Sequence, residues 1–205
     1  LQMQIEYKVL ETENNIEREQ NVRILKHFIP QLQVIRTNKQ NLWQNNIELY
    51  RLKESSQGVV ILEDDVVLCK DFLTKCENVI SQNSQDVISM FRGDKSEGSV
   101  KGYRGGSTFA WNQCSYFPKW FCDEMIKKEN QEAFEKWYWE REHVWNFPND
   151  YYVKFLLAKL KKKYYAYYPH LVQHLTFESA FGHRARNRIS KYFIDDLEKQ
   201  NGKEN

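Results

Sequence analysis

Three consecutive carboxylates, Glu63-Asp64-Asp65, stand between two apolar segments, Val59–Leu62 and Val66–Leu68. The first segment, preceded by Gly58, is typical of a strand buried on both faces of a parallel sheet. Three acids at its end would repel one another and lose hydration unless a cation lay beside them. Hard oxygen ligands in this number favour Mn²⁺ or Mg²⁺ over zinc. The sequence therefore predicts a divalent-metal site at the carboxyl end of this strand, where open α/β sheets bind ligands.

Acidic residues also stand at the starts of two predicted helices. Aspartate is a favoured N-cap because its carboxylate accepts hydrogen bonds from the first backbone amides of a helix. Capping is the better account of Asp71, which precedes a clean apolar helical face. Asp150 is open to two interpretations: a helix cap, or a general base that removes the proton from a hydroxyl group.

His174 is open to a structural or a metal-binding interpretation. It closes the motif Tyr168-Pro169-His170-Leu171-Val172-Gln173-His174, within a segment predicted to be one strand from Tyr164 to Leu175. Two other histidines, His170 and His183, compete for the same role.

Glycines are concentrated between positions 93 and 106, which hold five of the eight in the chain. The motif Gly102-Tyr103-Arg104-Gly105-Gly106 leads into Ser107–Trp111, which is predicted to be a strand. Without side chains, Gly105 and Gly106 would let the backbone approach a ligand closely. The alternative interpretation of this segment is a mobile connector.

Two basic clusters stand out in a chain whose formal net charge is only +2. One is His183-Arg184-Ala185-Arg186-Asn187-Arg188 with Lys191, and the other is Lys161–Lys163. Most such runs are solvated faces, but the arginine fork suits phosphate, so the first cluster is a candidate for binding a diphosphate or an anionic acceptor.

Alternating strands and helices must position these groups. Periodicity predicts strands at Ile5–Thr12, Leu32–Thr37 and Asp86–Phe91 and helices that carry apolar stripes. The stripe of the first helix is Ile16, Ile24, Leu25, Phe28 and Ile29, that of the second is Leu42, Trp43, Ile47 and Tyr50, and that of the third is Phe72, Leu73, Cys76, Val79 and Ile80. This alternation indicates an α/β fold with a mainly parallel central sheet flanked by helices.

Length and composition fit one globular domain of 205 residues, with 41% hydrophobic and 15% aromatic residues. We predict a domain over residues 1–197 and a frayed tail over residues 198–205. The absence of a long apolar run or signal-peptide pattern predicts a cytoplasmic protein without a membrane span. The four cysteines, which lack metal-ligand spacing, are expected to be reduced and mostly buried.

Four features occur in the order found in one enzyme class. They are the strand that ends in Glu63-Asp64-Asp65, the glycine motif, Asp150 and the motif that ends in His174. In this order, over roughly residues 5–185, the chain resembles the GT-A class of glycosyltransferases, and Val60–Val66 is similar to their metal-binding "DXD" element in its Glu-Asp-Asp form. The resemblance implies a single GT-A-like, Rossmann-like domain. The chain is shorter than many members, which leaves the acceptor open.

The resemblance also implies a reaction and a set of site residues. The enzyme would move a sugar from a nucleotide-sugar donor of the UDP-sugar type to an acceptor hydroxyl with help from Mn²⁺ (or Mg²⁺). The acceptor would be a glycan, a protein or a modified DNA base. Asp150 would be the catalytic base of an inverting transfer, and Asp65 and His174 would bind the metal. A retaining transfer, which would need another nucleophile or a substrate-assisted route, also remains open. The donor-binding residues would be Thr12, Arg18, Glu63, Asp64, Gly105, Gly106 and Arg184.

Two other function classes remain open on the sequence. A metal-dependent nuclease or phosphotransferase also gathers carboxylates at strand ends, although no convincing partner motif accompanies them here. A non-catalytic module could bind carbohydrate or nucleic acid through aromatic side chains, for most of which core packing is the better account. Those aromatic residues are Trp137, Tyr138, Trp139 and Trp145.

Overall fold

The computed structural model describes residues 4–38, 40–91, 101–110, 113–140, 149–175, 190 and 192–195. Strands and helices alternate through the first half of the chain and then give way to a helical segment. In chain order the elements are β1 (Ile5–Thr12), α1 (Ile16–Phe28), β2 (Gln33–Thr37), α2 (Leu42–Glu48), β3 (Gly58–Glu63), β4 (Val66–Leu68), α3 (Phe72–Gln82), β5 (Ile88–Ser89), β6 (Gly102–Gly105), β7 (Cys114–Pro118), α4 (Lys119–Met125), α5 (Lys128–Trp139), α6 (Asn149–Lys159), β8 (Lys163–Ala166) and β9 (Val172–His174).

A seven-stranded sheet with the order β2-β1-β3-β7-β5-β8-β6 forms the centre of the described residues. β1, β2, β3, β5 and β8 run in one direction, whereas β7 and β6 run in the opposite direction. This confirms the expected α/β fold with a mainly parallel sheet. A separate antiparallel ribbon pairs β4 with β9, and it brings the end of the predicted site motif back to the acidic turn.

Helices cover both faces of the sheet, which explains the continuous apolar run in β3. Val60 and Leu62 pack in a cluster with residues of α1 and α3. Val59 and Ile61 pack on the opposite face with residues of α4, α5 and α6. Each such buried side chain contributes about 1.5–3 kcal/mol relative to an exposed one. None of the helices in the described part of the chain has the length and apolar character needed to cross a bilayer.

The first helix occupies the predicted position, but its buried face differs from the prediction. Ile16, Ile24 and Phe28 are exposed, the first by 70%, whereas Arg18 and Asn21 are buried with Val22 and Leu25. The predicted stripe is confirmed for Leu25 and Ile29, which are buried, and wrong for the three exposed residues. It counted only apolar residues, whereas α1 turns two polar side chains toward the acids. The predicted face of α3 is confirmed, since Phe72, Cys76, Val79 and Ile80 are buried.

Three local predictions are corrected by the structure. The segment from Tyr164 to Leu175 forms two strands, β8 and β9, because Pro169 lacks a backbone N–H and interrupts the ladder. Gly106–Thr108 is a 3-10 turn rather than the start of a strand, and Gly102–Gly105 is an edge strand. Asp71 stands at the start of α3 but makes no side-chain cap bond.

The structure confirms the prediction for the cysteines but does not reach the predicted tail. All four cysteines are free and buried, as expected. The predicted tail, residues 198–205, lies outside the described residues.

Candidate active site

The three acids lie at the end of β3 and in the turn that joins it to β4. Because successive side chains of a strand point to opposite faces, Glu63 continues the face of Val59 and Ile61, whereas Asp64 points toward α1. β1 ends beside this turn, since Leu10 pairs with Glu63. The ends of two neighbouring parallel strands thus form one wall of the site.

Asp64 is buried, and both of its carboxylate oxygens are bonded within the protein. Oδ2 accepts a hydrogen bond from the backbone amide of Thr12 at 2.8 Å, and Oδ1 accepts one from the Arg18 guanidinium. Burial raises the pKa of the Asp64 carboxyl, while the Arg18 charge and the Thr12 amide act in the opposite direction. Asp64 is therefore an internal anchor, and this arrangement does not support its predicted contact with a nucleotide sugar.

Arg18 bridges two of the three acids. Its Nη2 donates to Asp65 Oδ2 at 2.9 Å, and its Nη1 bonds to Asp64. Burial lowers the pKa of Arg18, but the charges of Asp64 and Asp65 outweigh burial and raise that pKa above its ordinary value. The predicted donor-binding arginine is thus in an ion-pair network under the acidic turn, where it fixes the carboxylates.

Asn21, which the sequence analysis missed, fixes the backbone of the same turn. Its Nδ2 donates to the carbonyl oxygens of Asp64 and Val66 at 3.0 and 2.9 Å. One signal in the sequence could have found it, because Arg18, Asn21 and Leu25 follow one another at the spacing of a single helix face. Polar residues on a buried stripe require polar partners, and the acidic turn provides them.

Glu63, Asp65 and His174 lie close together at the end of the β4–β9 ribbon where Val66 pairs with His174. Val66 pairs with His174 in this ribbon, and the Leu175 amide donates to the Asp65 carbonyl at 2.7 Å. Asp65 Oδ2 lies 3.4 Å from His174 Nε2. One ligand atom from each of the three residues lies within 4.8 Å of the others, so the predicted pair of Asp65 and His174 gains Glu63 as a third member.

The donor set fits a divalent ion such as Mn²⁺. Ions of this class hold ligands at about 2.1 Å, so that adjacent ligands are about 3 Å apart and opposed ligands about 4.2 Å. The three ligand atoms lie within 4.8 Å of one another, so they would have to move together only slightly to reach these distances. Asp65 Oδ1 is buried and has no hydrogen-bond partner among the described residues, as expected of an oxygen that binds an ion. Two carboxylates and one imidazole are ligands that suit Mn²⁺ or Mg²⁺ better than the softer metals that bind cysteine thiolates.

Gln113 also contacts this cluster, and sequence reasoning did not single it out. Its Nε2 donates to Glu63 Oε2 at 3.1 Å, and its backbone carbonyl accepts from the Glu63 amide at 3.0 Å. Gln113 precedes β7, which runs antiparallel to β3. No local pattern marks such a residue, because its position depends on the pairing of two strands that are far apart in the sequence.

Gly105 and Gly106 lie at the opposite end of the sheet from the acids. Gly105 pairs with Lys163, and the ladders from β8 through β5 and β7 bring Lys163 level with Gly58 at the start of β3. Gly58 and Glu63 are about 16 Å apart along the strand, and β6 is about 19 Å from β3 across the sheet. The expected approach of these glycines to a nucleotide sugar beside the acids is therefore not supported.

Packing explains the glycine at position 106. A Cβ atom there would lie 2.5 Å from Leu157 Cβ and 2.7 Å from the Lys162 carbonyl oxygen, whereas at Gly105 the nearest atom is 3.9 Å away. We expect Gly106→Ala to lower the free energy of unfolding by about 1–3 kcal/mol through overpacking against α6. Gly105→Ala, where φ is −62°, should change it by less than about 0.5 kcal/mol. Urea unfolding of both variants tests this, and equal effects would contradict it.

The remaining predicted site residues are Asp150, Arg184 and the two competing histidines. Asp150 stands in the first turn of α6, where its Oδ1 accepts from the Tyr151 amide at 3.0 Å, and both of its interpretations remain open. Arg184 and His183 lie outside the described residues. His170 is buried against Ser190, with Nδ1 and Oγ 2.6 Å apart.

The aromatic residues proposed for a binding module serve largely in packing. Tyr138 is buried, and Trp137 packs against the cluster that includes Phe134. Trp139 is exposed, and Trp145 lies outside the described residues. This arrangement gives no support to a carbohydrate-binding platform built from these side chains.

Comparison with known proteins supports the fold. No protein-family profile and no curated protein matches the chain. Among solved structures, the crystal structure of A197 from STIV is similar with a TM-score of 0.52 and 14% identity, over 87% of each chain. The crystal structure of S. aureus TarS 1-349 is similar with a TM-score of 0.42 and 13% identity, over 80% of this chain and 58% of that one. The first similarity agrees with a GT-A-like, Rossmann-like domain.

Proposed function

We propose that this protein is a metal-dependent glycosyltransferase that moves a sugar from a nucleotide-sugar donor to a hydroxyl group of an acceptor. The observation that carries the proposal is the cluster of Glu63, Asp65 and His174 at the carboxyl end of β3. In open α/β sheets this end of the strands is where ligands bind. The fold, and the order of the acidic motif, Asp150 and His174 along the chain, are those expected of the GT-A class.

The charge of the site supports a divalent ion as the partner. Three carboxylates and the Arg18 guanidinium leave two net negative charges, which one divalent ion would balance. Glu63, Asp65 and His174 would hold the ion. When bound, it would supply Lewis-acid stabilisation of the negative charge that develops on a departing nucleoside diphosphate.

The other residues divide into supporting and reacting groups. Thr12, Arg18 and Asp64 form the bonded base on which Asp65 is oriented. Asp150 is proposed as the base that takes the proton of the acceptor hydroxyl during an inverting transfer. Arg184 is proposed to bind the donor diphosphate through its guanidinium fork. The acceptor class proposed is a glycan, a protein or a modified DNA base.

Thermal unfolding with ligands tests the proposal. Mn²⁺ together with the matching nucleoside diphosphate should raise the melting temperature of the wild-type protein by about 5–10 °C, since saturation at one hundred times Kd contributes about 2.7 kcal/mol. A panel of UDP, GDP, ADP and CDP, with and without Mn²⁺, identifies the nucleotide. Incubation with the corresponding sugar donors, followed by mass spectrometry, should then show metal-dependent consumption of one donor.

The same measurements separate the competing classes. Cleavage of DNA with divalent metal and no sugar donor would favour a nuclease. Tight carbohydrate binding without consumption of any donor would favour a binding module. No shift with any pair of metal and nucleotide would overturn the proposal.

A further inference from the structure

We propose that Gln113 is a positioning residue of the metal centre and that its side-chain oxygen receives an O–H group that arrives with the metal or with the donor. The inference rests on the proposed function, because it concerns the same site. Backbone pairing places Gln113 opposite Glu63, where the Glu63 amide donates to the Gln113 carbonyl at 3.0 Å. The two side chains therefore leave the same face of the sheet, next to each other.

The orientation of the Gln113 amide follows from the chemistry of its neighbour. An ionised carboxylate only accepts hydrogen bonds, so the amide must present its NH₂ group to Glu63. The separation of 3.1 Å between Nε2 and Glu63 Oε2 agrees with this. One carboxylate oxygen of Glu63 is thus held by Gln113, which restricts how Glu63 can turn toward Asp65 and His174.

The other atom of the amide has no such contact. Gln113 is only 1% exposed, and its Oε1 has no hydrogen-bond partner among the described residues. Buried acceptors without partners are rare in native proteins, and each calls for an explanation such as a ligand. Because Glu63 takes the NH₂ group, rotation of the amide cannot satisfy Oε1. The oxygen is therefore a prepared acceptor beside the candidate metal ligands.

Only a hydrogen-bond donor can satisfy this oxygen. At this position the donor is an O–H group from one of two sources: a water molecule bound to the metal, or a hydroxyl of the donor sugar. Either group would bring a polar hydrogen to the side of Glu63, next to which Gln113 Oε1 is held. Supporting residues of this kind typically change metal affinity tenfold to a hundredfold when removed.

Gln113→Met tests the inference, because methionine has the same length and lacks both polar atoms. Mn²⁺ affinity is measured first, without nucleotide, from the electron paramagnetic resonance signal of free Mn²⁺. We expect the Kd to rise at least about tenfold. Gln33→Met is the matched control, since Gln33 Nε2 donates to Glu6 Oε2 at 3.3 Å at the start of β2. This control should bind Mn²⁺ like the wild type. Gln113→Asn, whose amide is too short to reach Glu63, repeats the test should Gln113→Met fail to fold.

Kinetic measurements with saturating Mn²⁺ distinguish the two sources of the O–H group. If metal-bound water is the source, Gln113→Met should keep the wild-type affinity for both nucleoside diphosphate and nucleotide sugar once Mn²⁺ is saturating. If the sugar is the source, the KM for the nucleotide sugar should rise about tenfold or more while the affinity for the nucleoside diphosphate stays unchanged. Either pattern supports the inference.

Two results would overturn the inference, and they are distinguishable. Wild-type affinity for Mn²⁺ in both Gln113 variants, with wild-type KM, would remove the role of Gln113 and leave the proposed function standing. Absence of Mn²⁺ binding in the wild-type protein would remove the proposed function and this inference with it.

Discussion

Replacing Arg18 with methionine should lower the free energy of unfolding by about 3–5 kcal/mol, because it leaves two buried carboxylates without their shared cation. Methionine fills most of the space of the arginine stem, so the loss is mainly electrostatic. Asp64 would keep only its contacts with Thr12, and Asp65 would lose its 2.9 Å ion pair. Urea unfolding in metal-free buffer measures the effect as a shift in midpoint. Added Mn²⁺ should stabilise this variant more than the wild type, because its site carries one more net negative charge.

Arg51→Met is the matched control for this prediction. Arg51 forms an ion pair with Glu48 at 2.6 Å, but its side chain is 58% exposed, so its removal should change stability by less than about 1 kcal/mol. Arg18→Lys should fall between the two, since an ammonium keeps the charge but cannot span two carboxylates as a guanidinium does. Equal losses in Arg18→Met and Arg51→Met would contradict the buried network.

Asp65→Asn should abolish measurable Mn²⁺ binding and lower the rate of sugar transfer by about three orders of magnitude. The change keeps the shape of the side chain but removes a negative charge and a ligand oxygen from the cluster. A bound metal contributes several kcal/mol to transition-state charge stabilisation, and each 1.36 kcal/mol corresponds to a factor of ten in rate. Mn²⁺ titration and initial rates with the identified donor measure the two effects separately.

Asp71→Asn provides the control for Asp65→Asn. Asp71 is an exposed acid six residues later that makes no side-chain bond to the helix it precedes, so both metal binding and rate should stay near the wild-type values. Circular dichroism of both variants verifies that the fold is retained. A metal-dependent rate in Asp65→Asn close to that of the wild type would place the metal elsewhere in the protein.

Much of the sheet was predictable because its strands have strong local signals. β1 has the predicted bounds, Ile5–Thr12, and the apolar run of β3 reflects helices on both faces. The insertion of β7 between β3 and β5 was not predictable, since antiparallel pairing across fifty residues leaves no local periodicity. The last predicted strand is divided into β8 and β9 because β8 pairs with β5 and β6, whereas β9 pairs with β4. A sequence pattern does not show these partners.

The site was predictable in part, for reasons of the same kind. Adjacent acids at the end of an apolar run are easily recognised in a sequence. The order of motifs along the chain pointed to His174, which pairs with Val66 in the β4–β9 ribbon. Gln113 and Asn21 were not predicted because a single polar residue in a sequence is most often simply exposed to solvent. Gly106 was misassigned because a glycine required by packing against Leu157 has the same sequence signal as one that approaches a ligand.

The β4–β9 ribbon has a consequence for how the protein is made. During synthesis α1 and the acids leave the ribosome before β9, which carries His174. Before β9 is available, Arg18 of α1 can already pair with Asp64 and Asp65, and the Thr12 amide can bond to Asp64. The cluster of Glu63, Asp65 and His174 is complete only once β9 has paired with β4.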